Sequence, residues 1–492
     1  MVSRRMFLAA GATTGVLGSA QRVAADETSP APAPAPNVPA IDSARAIAAY
    51  VTGFDAGSLP PQAVQRANLA FIDSLGVMLA GSRTEPAHIV VEMVREERAQ
   101  PVTTIAGRSL KSSPQLAALA NGVALHALDY DVTTTAGQPT AALVPALLAI
   151  AEGRHSTPAE VFAAYTIGFE VAMRLLRACP DFAKTGWHST GTVGTIAAAV
   201  ACAKLLNASP AAIVTAVGIS ASLASSLAVN FGTMTKPLHA GQAARNGVMA
   251  AVLATRGFTA STIALEGRNG YFVDFCRGLQ WSLAPFEDLG HRSDLAEIGF
   301  KVKRYACGGL GHTAIDAALA VRAMLDGDID QISEVRVGVT KQAANYVATT
   351  YPSTIEGAKF SVPYVIATSF VRGTPHLATF TDAAIADPRV KAFAAKISVA
   401  LDPAFAESVD PNPARVVAIL ADGKHVESFI TYALGSQQLP MSKEQIEAKF
   451  LDCAVPTLDP ATARHTFATW QSLNTQTSFA ALWPLLHRPD AG

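Results

Sequence analysis

Charge is scarce in this chain of 492 residues: only 16% are Asp, Glu, Lys or Arg, and the formal net charge is -1. No run of lysines or arginines builds a basic face, which excludes the usual electrostatic footprint of nucleic-acid binding. Cysteine is scarce as well. Cys179, Cys202, Cys276, Cys307 and Cys453 are odd in number and widely spaced. With no C-x-x-C pair and no histidine at metal-ligand spacing, neither a zinc site nor a disulfide framework is expected, only buried free thiols. None of the helical segments is an unbroken apolar span of membrane length, so no stable membrane anchor is expected. A strand followed by Gly-x-Gly-x-x-Gly is missing, as is Gly-x-Ser-x-Gly, so neither a nicotinamide cofactor nor a nucleophile-elbow hydrolase is supported. What remains is apolar for half its length, enough to bury more than one core, and suits a small-molecule ligand.

The first residues differ from the rest. Ser3-Arg4-Arg5-Met6-Phe7-Leu8 is a twin-arginine pattern, followed by a Gly/Ala-rich apolar run to about Gly18 and by the small residues Val23-Ala24-Ala25 ahead of Asp26. Residues 1–25 therefore read as a twin-arginine signal peptide, and a periplasmic location follows. From Ser29 to Pro39 alanine and proline alternate, so residues 26–40 form a stiff polyproline-type linker.

Residues 41–295 read as successive helices, at Pro61 to Ala80, Gln115 to Leu128, Thr140 to Glu152, Pro158 to Cys179, Thr192 to Leu206, Ala211 to Ala228 and Ala240 to Arg256. Several are apolar on almost every side, as in the interior of a large bundle or at a subunit interface. Near residue 300 the pattern changes. Val335, Val337 and Val339 alternate with polar residues, and Ala414 to Thr431 reads as a hairpin around Asp422-Gly423. With helical segments from Thr313 to Leu325 and Val362 to Phe370, residues 296–437 form a smaller α+β unit. Helices return in residues 438–492, where Ser442 and Gln445 make a capping-box pattern. The fold class is mainly α, with the α+β part inserted before the C-terminal helices.

Four places concentrate ionisable groups in apolar surroundings. The first is His126-Ala-Leu-Asp129-Tyr130-Asp131 with the Thr133 to Thr140 loop, where paired carboxylates beside a histidine set proton affinities. The second is Gly186-Trp-His188-Ser189-Thr190-Gly-Thr192, a Gly-bounded turn delivering a histidine and hydroxyls to a helix start. The third, Gly232 to Gly247, seats Lys236 and His239 just where an Ala-rich helix begins. Helix starts present unpaired N–H groups and a positive dipole end, so a substrate carboxylate is held there without a metal. The fourth is Lys303 to His312, where the smaller unit begins.

These segments, together with Ala70 to Ser82, Asn121-Gly122, Leu265-Glu-Gly267 and Lys449-Phe450, resemble the MmgE/PrpD family, which includes 2-methylcitrate dehydratase, cis-aconitate decarboxylase and iminodisuccinate epimerase. The resemblance runs from about residue 45 to 485. It implies a helical domain with an α+β lid, a homodimer and a cofactor-free, metal-free cleft. It also implies Asp129, His188, Lys236, Lys303 and Tyr364 as catalytic residues, Tyr364 from Ser361-Val-Pro-Tyr364. Gln138, Ser189, Thr190, His239 and His312 are expected to bind substrate. Lys236, Lys303 and helix N-termini would stabilise developing negative charge, and His188, Asp129 or Tyr364 would move protons. The expected activity is a lyase or isomerase of a small di- or tricarboxylate, acting by proton abstraction α to a carboxylate. A cis-aconitate-type decarboxylase and a non-catalytic carboxylate-binding protein are the alternatives. Three departures set the chain apart: Asp131-Val132 and Gln138-Pro-Thr140 stand where many relatives carry Asp-Asp and His-Pro-Ser, and Gly308 stands where decarboxylase-like members can carry histidine.

Overall fold

Prolines and small residues decide where the helices start and how closely they pack. The computed structural model describes residues 41–134 and 137–486. The expected signal peptide, the linker and two residues of the loop ahead of Thr140 lie outside the described residues. Helix α1 spans Ser43–Gly53, α2 Pro61–Gly81 and α3 Glu85–Glu96. A short antiparallel pair, β1 (Thr103–Thr104) and β2 (Lys111–Ser112), leads into α4, Pro114–His126. Then come α5 (Thr140–Arg154), α6 (Pro158–Ala178), α7 (Ser189–Leu205), α8 (Pro210–Leu223) and α9 (Thr235–Thr255). Proline opens α2, α4, α6 and α8, in the first turn where its missing N–H leaves no bond unmade.

Helix α9 packs against α4 and α7. A Cβ on Gly122 of α4 would lie 2.6 Å from Gly241 Cα, and one on Gly247 would lie 2.5 Å from Ala198 Cβ. Only glycine lets these backbones approach so closely. The C-terminal end of α4 is thereby brought beside the N-terminal ends of α7 and α9. A departure from the sequence reading lies here, because α9 begins at Thr235 rather than Ala240. Pro237 falls in its first turn, where proline continues a helix instead of preceding it. Lys236 and His239 are therefore helical residues, not the loop before a helix.

The α+β part holds β3 (Ile332–Val339), β4 (Ile397–Leu401), β5 (Ala414–Leu420) and β6 (His425–Ile430), in the order β4-β3-β5-β6. Strands β3 and β4 run parallel with Val335 opposite Ile397, whereas β3/β5 and β5/β6 are antiparallel. Val335, Val337 and Val339 are buried in alternation, as their spacing requires. Gly423 turns the β5–β6 hairpin with φ at +85°. Strand β4 has no counterpart in the sequence reading, because its five residues are a half-exposed edge without clear alternation. Helix α10 (His312–Met324) covers β5 and β6, α11 (Val362–Arg372) packs on α10 and β4, and α12 spans Pro388–Ala394. The chain then returns to the helical part through α13 (Lys443–Ala454), whose Ser442–Gln445 capping box forms as expected, and α14 (Pro460–Gln471). Helix α13 lies on α2. The five cysteines are buried free thiols, and among the described residues no helix is long and apolar enough to cross a membrane.

Candidate functional site

The site begins where α4 stops. Asp129 adopts a left-handed backbone with φ at +48°, a conformation an aspartate tolerates and one that turns the chain away from the helix axis. Lysines meet the carbonyls at and just past the end of α4, which closes at His126. Lys359 Nζ donates to Ala127 O at 2.9 Å, Lys303 Nζ to Asp129 O at 2.8 Å and Lys449 Nζ to Tyr130 O at 2.9 Å. Cations belong at the negative end of a helix dipole, so one turn of backbone is fixed by three distant stretches of chain.

The Asp129 carboxylate is buried between two more ammonium contacts. Lys236 Nζ donates to Oδ1, and Lys303 Nζ lies 2.9 Å from Oδ2. Gln138 Nε2 approaches Oδ1 at 3.4 Å. Burial alone would raise the carboxyl pKa, but Lys236 and Lys303 override it and hold the group well below the usual carboxylate range. Lys236 itself is lowered by burial, which Asp129 partly offsets.

Histidines line the other side. His126 Nδ1 lies 3.1 Å from Asp131 Oδ1, and its ring stacks on His188 at 5.6 Å. His188 Nδ1 shares a hydrogen bond of 3.1 Å with His239 Nδ1, which leaves Nε2 as the ring nitrogen for a ligand. Burial, followed by neighbouring positive charge, pushes His188 well below its ordinary value and brings His239 down to about 4. Both rings are neutral at pH 7. Oxygens of Asp129 and Asp131 and a nitrogen of His126 lie within 4.8 Å of one another, the donor set of a cation site. Two lysine ammoniums and an imidazole already take those atoms.

A cavity of about 200 Å³ opens onto this centre. Its polar end is Asp129, Gln138, His188, Ser189, Lys236 and Lys303, six of the residues expected from sequence. Thr190 lies just beneath, its Oγ1 accepting from Gln138 N at 3.2 Å. His239 stands behind His188. His312 is farther back, with Nε2 3.3 Å from Cys307 O and its ring on the edge of Tyr305. Tyr364 is not brought to the cavity. Ser361 caps α11 by accepting from Tyr364 N, which aims this tyrosine into the core of the α+β part, against Tyr351 and Phe380, with its hydroxyl donating to Thr379 O. Sequence reasoning missed Lys359, a lone lysine in no pattern. Burial brings its pKa down to about 8.

Acid sensitivity follows from the buried imidazoles. Burial lowers His312 to about 3 in the fold, whereas the unfolded chain takes up that proton near pH 6.5. The unfolded state binds more protons between those values, so the contribution is complete above pH 6.5 and is lost as pH falls. Glu170, pushed up to about 7 by burial, acts in the opposite sense. A His312→Gln variant is expected to lose about 2 kcal/mol less stability than the parent between pH 7 and 4.5, read from urea melts. An unchanged pH slope would contradict the assignment.

Comparison with known proteins places this geometry in context. Residues 45–284 match the MmgE/PrpD N-terminal domain, and residues 305–474 match the MmgE/PrpD C-terminal domain. The cis-aconitate decarboxylase of Homo sapiens is 28% identical over 420 residues, covering 82% of this chain and 86% of its own. That of Mus musculus is 27% identical, over 82% of this chain and 85% of its own. A cis-aconitate decarboxylase of Aspergillus terreus is 25% identical over 460 residues, 88% of this chain and 93% of its own.

Proposed function

The chain belongs to the MmgE/PrpD family and is a lyase-type enzyme, and from that premise we propose that it acts on a small di- or tricarboxylate, without a cofactor, by removing a proton α to a carboxylate. The observation that carries this reading is a buried carboxylate clamped by two lysines at the polar end of a cavity, beside a neutral histidine. Lys236 and Lys303 exceed Asp129 in charge, so the centre attracts an anion and stabilises the charge that builds as a C–H bond breaks. Asp129, held ionised by two cations, is a poor proton acceptor. His188 is the base in this proposal, because Nδ1 is engaged by His239 and an arriving carboxylate raises the proton affinity of the ring. The proton then returns to carbon in an epimerisation, or departs with a hydroxyl group in a dehydration.

Decarboxylation is a second reading, favoured by the names of the relatives. Loss of CO₂ leaves a comparable carbanion at the same lysines, and a protonated group then completes the reaction. We place Tyr364 outside the chemistry and the α+β part over the cavity as a lid. Export by the twin-arginine route rests on Ser3 to Ala25. A homodimer is supported by the family resemblance and by the exposed apolar side chains Leu227, Val229, Met234 and Leu238 along one short stretch.

The test is incubation in D₂O with citrate, methylcitrate, aconitate, tartrate and aminosuccinate derivatives, followed by mass spectrometry. Deuterium is expected at the α carbon of a substrate, with a rate reduced about 10²- to 10⁴-fold in His188→Gln. Binding without incorporation or product from any compound sinks proton abstraction, and melting shifts alone would identify a carboxylate-binding protein.

A further inference from the structure

The cavity has two unlike kinds of lining. Besides its polar groups it is lined by Phe182, Trp187, Phe231, Leu310, Val347 and Phe360. Phe231 and Phe360 lie parallel with centroids 6.3 Å apart, and Phe231 meets the His188 ring edge-on at 4.8 Å. Lys236 Nζ sits 5.4 Å from the Phe360 centroid. Hydrocarbon therefore begins one ring away from the reacting centre.

Charge is limited in the same way. At the polar end two ammoniums face one carboxylate, and the histidines there are neutral. Among the described residues lining the cavity none is an arginine, and the remaining cation, Lys301, is a half-buried side chain paired with Asp410 at 3.3 Å. The buried end thus neutralises one substrate carboxylate. A second can be met by Lys301 at the rim. A third would have to leave water for phenyl rings, aliphatic carbon and the neutral groups of Thr133, Gln342 and Asn412, with no cation left to balance it.

Resting on the proposed chemistry, we infer that the substrate is a hydroxy or unsaturated acid with no more than two carboxylates, carrying an alkyl or aryl arm where a tricarboxylate has its third acid group. The inner carboxylate faces Lys236 and Lys303, and the arm lies against Phe231 and Phe360. In dehydration of such a substrate the α C–H bond breaks as its proton passes to His188. The electron pair forms the C=C bond while the β C–O bond breaks, and the oxygen leaves as water after taking a proton. Oxidation states balance within the substrate. No oxidant or reductant is required.

The experiment uses the full purified chain, calorimetric binding, and deuterium exchange in D₂O with malate, butylmalate, benzylmalate, citrate and cis-aconitate as probes. Butylmalate or benzylmalate is expected to bind at least tenfold more tightly than citrate or cis-aconitate and to exchange faster. Leu310→Lys, which puts a cation on the apolar wall, is expected to narrow that ratio at least tenfold. If citrate or cis-aconitate binds and turns over as well as the arm-bearing acids, the inference fails while the proton-abstraction reading stands. If no probe exchanges or yields product, both fall together.

Discussion

Replacing Lys236 by methionine is expected to lower kcat about 10²- to 10³-fold, the effect of removing one preorganised charge from a site of developing negative charge. The same change leaves the buried Asp129 carboxylate in a one-to-one pair with Lys303, so the stability cost stays at the scale of a lost charge-assisted hydrogen bond, about 1.5–3 kcal/mol. Two variants separate these effects. Asp129→Asn/Lys236→Met also strips buried Lys303 of its carboxylate and is expected to be less stable than the single variant, by about 3–5 kcal/mol, while remaining inactive. Should the single variant keep full turnover on a substrate processed by the parent, the assignment of Lys236 to charge stabilisation is wrong. The measurements are steady-state kinetics and chemical denaturation on the same preparations.

The second large effect lies away from the cavity. Lys449 Nζ is buried 2.6 Å from Asp73 Oδ1, donates to Tyr130 O and sits 4.0 Å from the centroid of the Tyr130 ring. Burial raises the Asp73 carboxyl, and Lys449 is the principal charge acting against that. Lys449→Met is expected to cost about 3–5 kcal/mol at pH 7, with Asp73→Asn/Lys449→Met losing much less. Without its partner Asp73 takes up a proton in the fold that it releases when unfolded. The loss from Lys449→Met therefore grows as pH rises above the ordinary carboxylate range and shrinks toward pH 4. Urea melts at pH 5 and pH 8 check the sign. Equal losses in the single and double variants would mean that Lys449 stabilises through packing alone.

The long helices were legible because alanine, proline and apolar spacing speak locally, and the β5–β6 hairpin because Asp422-Gly423 admits few other structures. The polar end of the cavity was legible through motifs: Asp129, His188, Lys236 and Lys303 each stand in a cluster of glycine and small residues. What the chain does not announce is pairing across distance. Asp129 meets Lys236 across 107 positions and Lys303 across 174, while Lys449 reaches Tyr130 across 319. Lys359 has no neighbourhood to mark it and becomes visible only when its ammonium reaches Ala127 O. Tyr364 shows the converse, since a Ser-x-x-Tyr pattern here records a helix cap and its residue in the first turn. Which way that turn faces is decided by packing.

The three lysines on the carbonyls after α4 also bear on when this protein acquires its site. They lie at 303, 359 and 449, so the ribosome delivers them long after Asp129 has emerged. A nascent chain ending before α13 can build most of its helical bundle and still lack one of the three fasteners. Maturation of the site is thus tied to near-complete synthesis, and catalytic competence reports that both segments of the helical part have met.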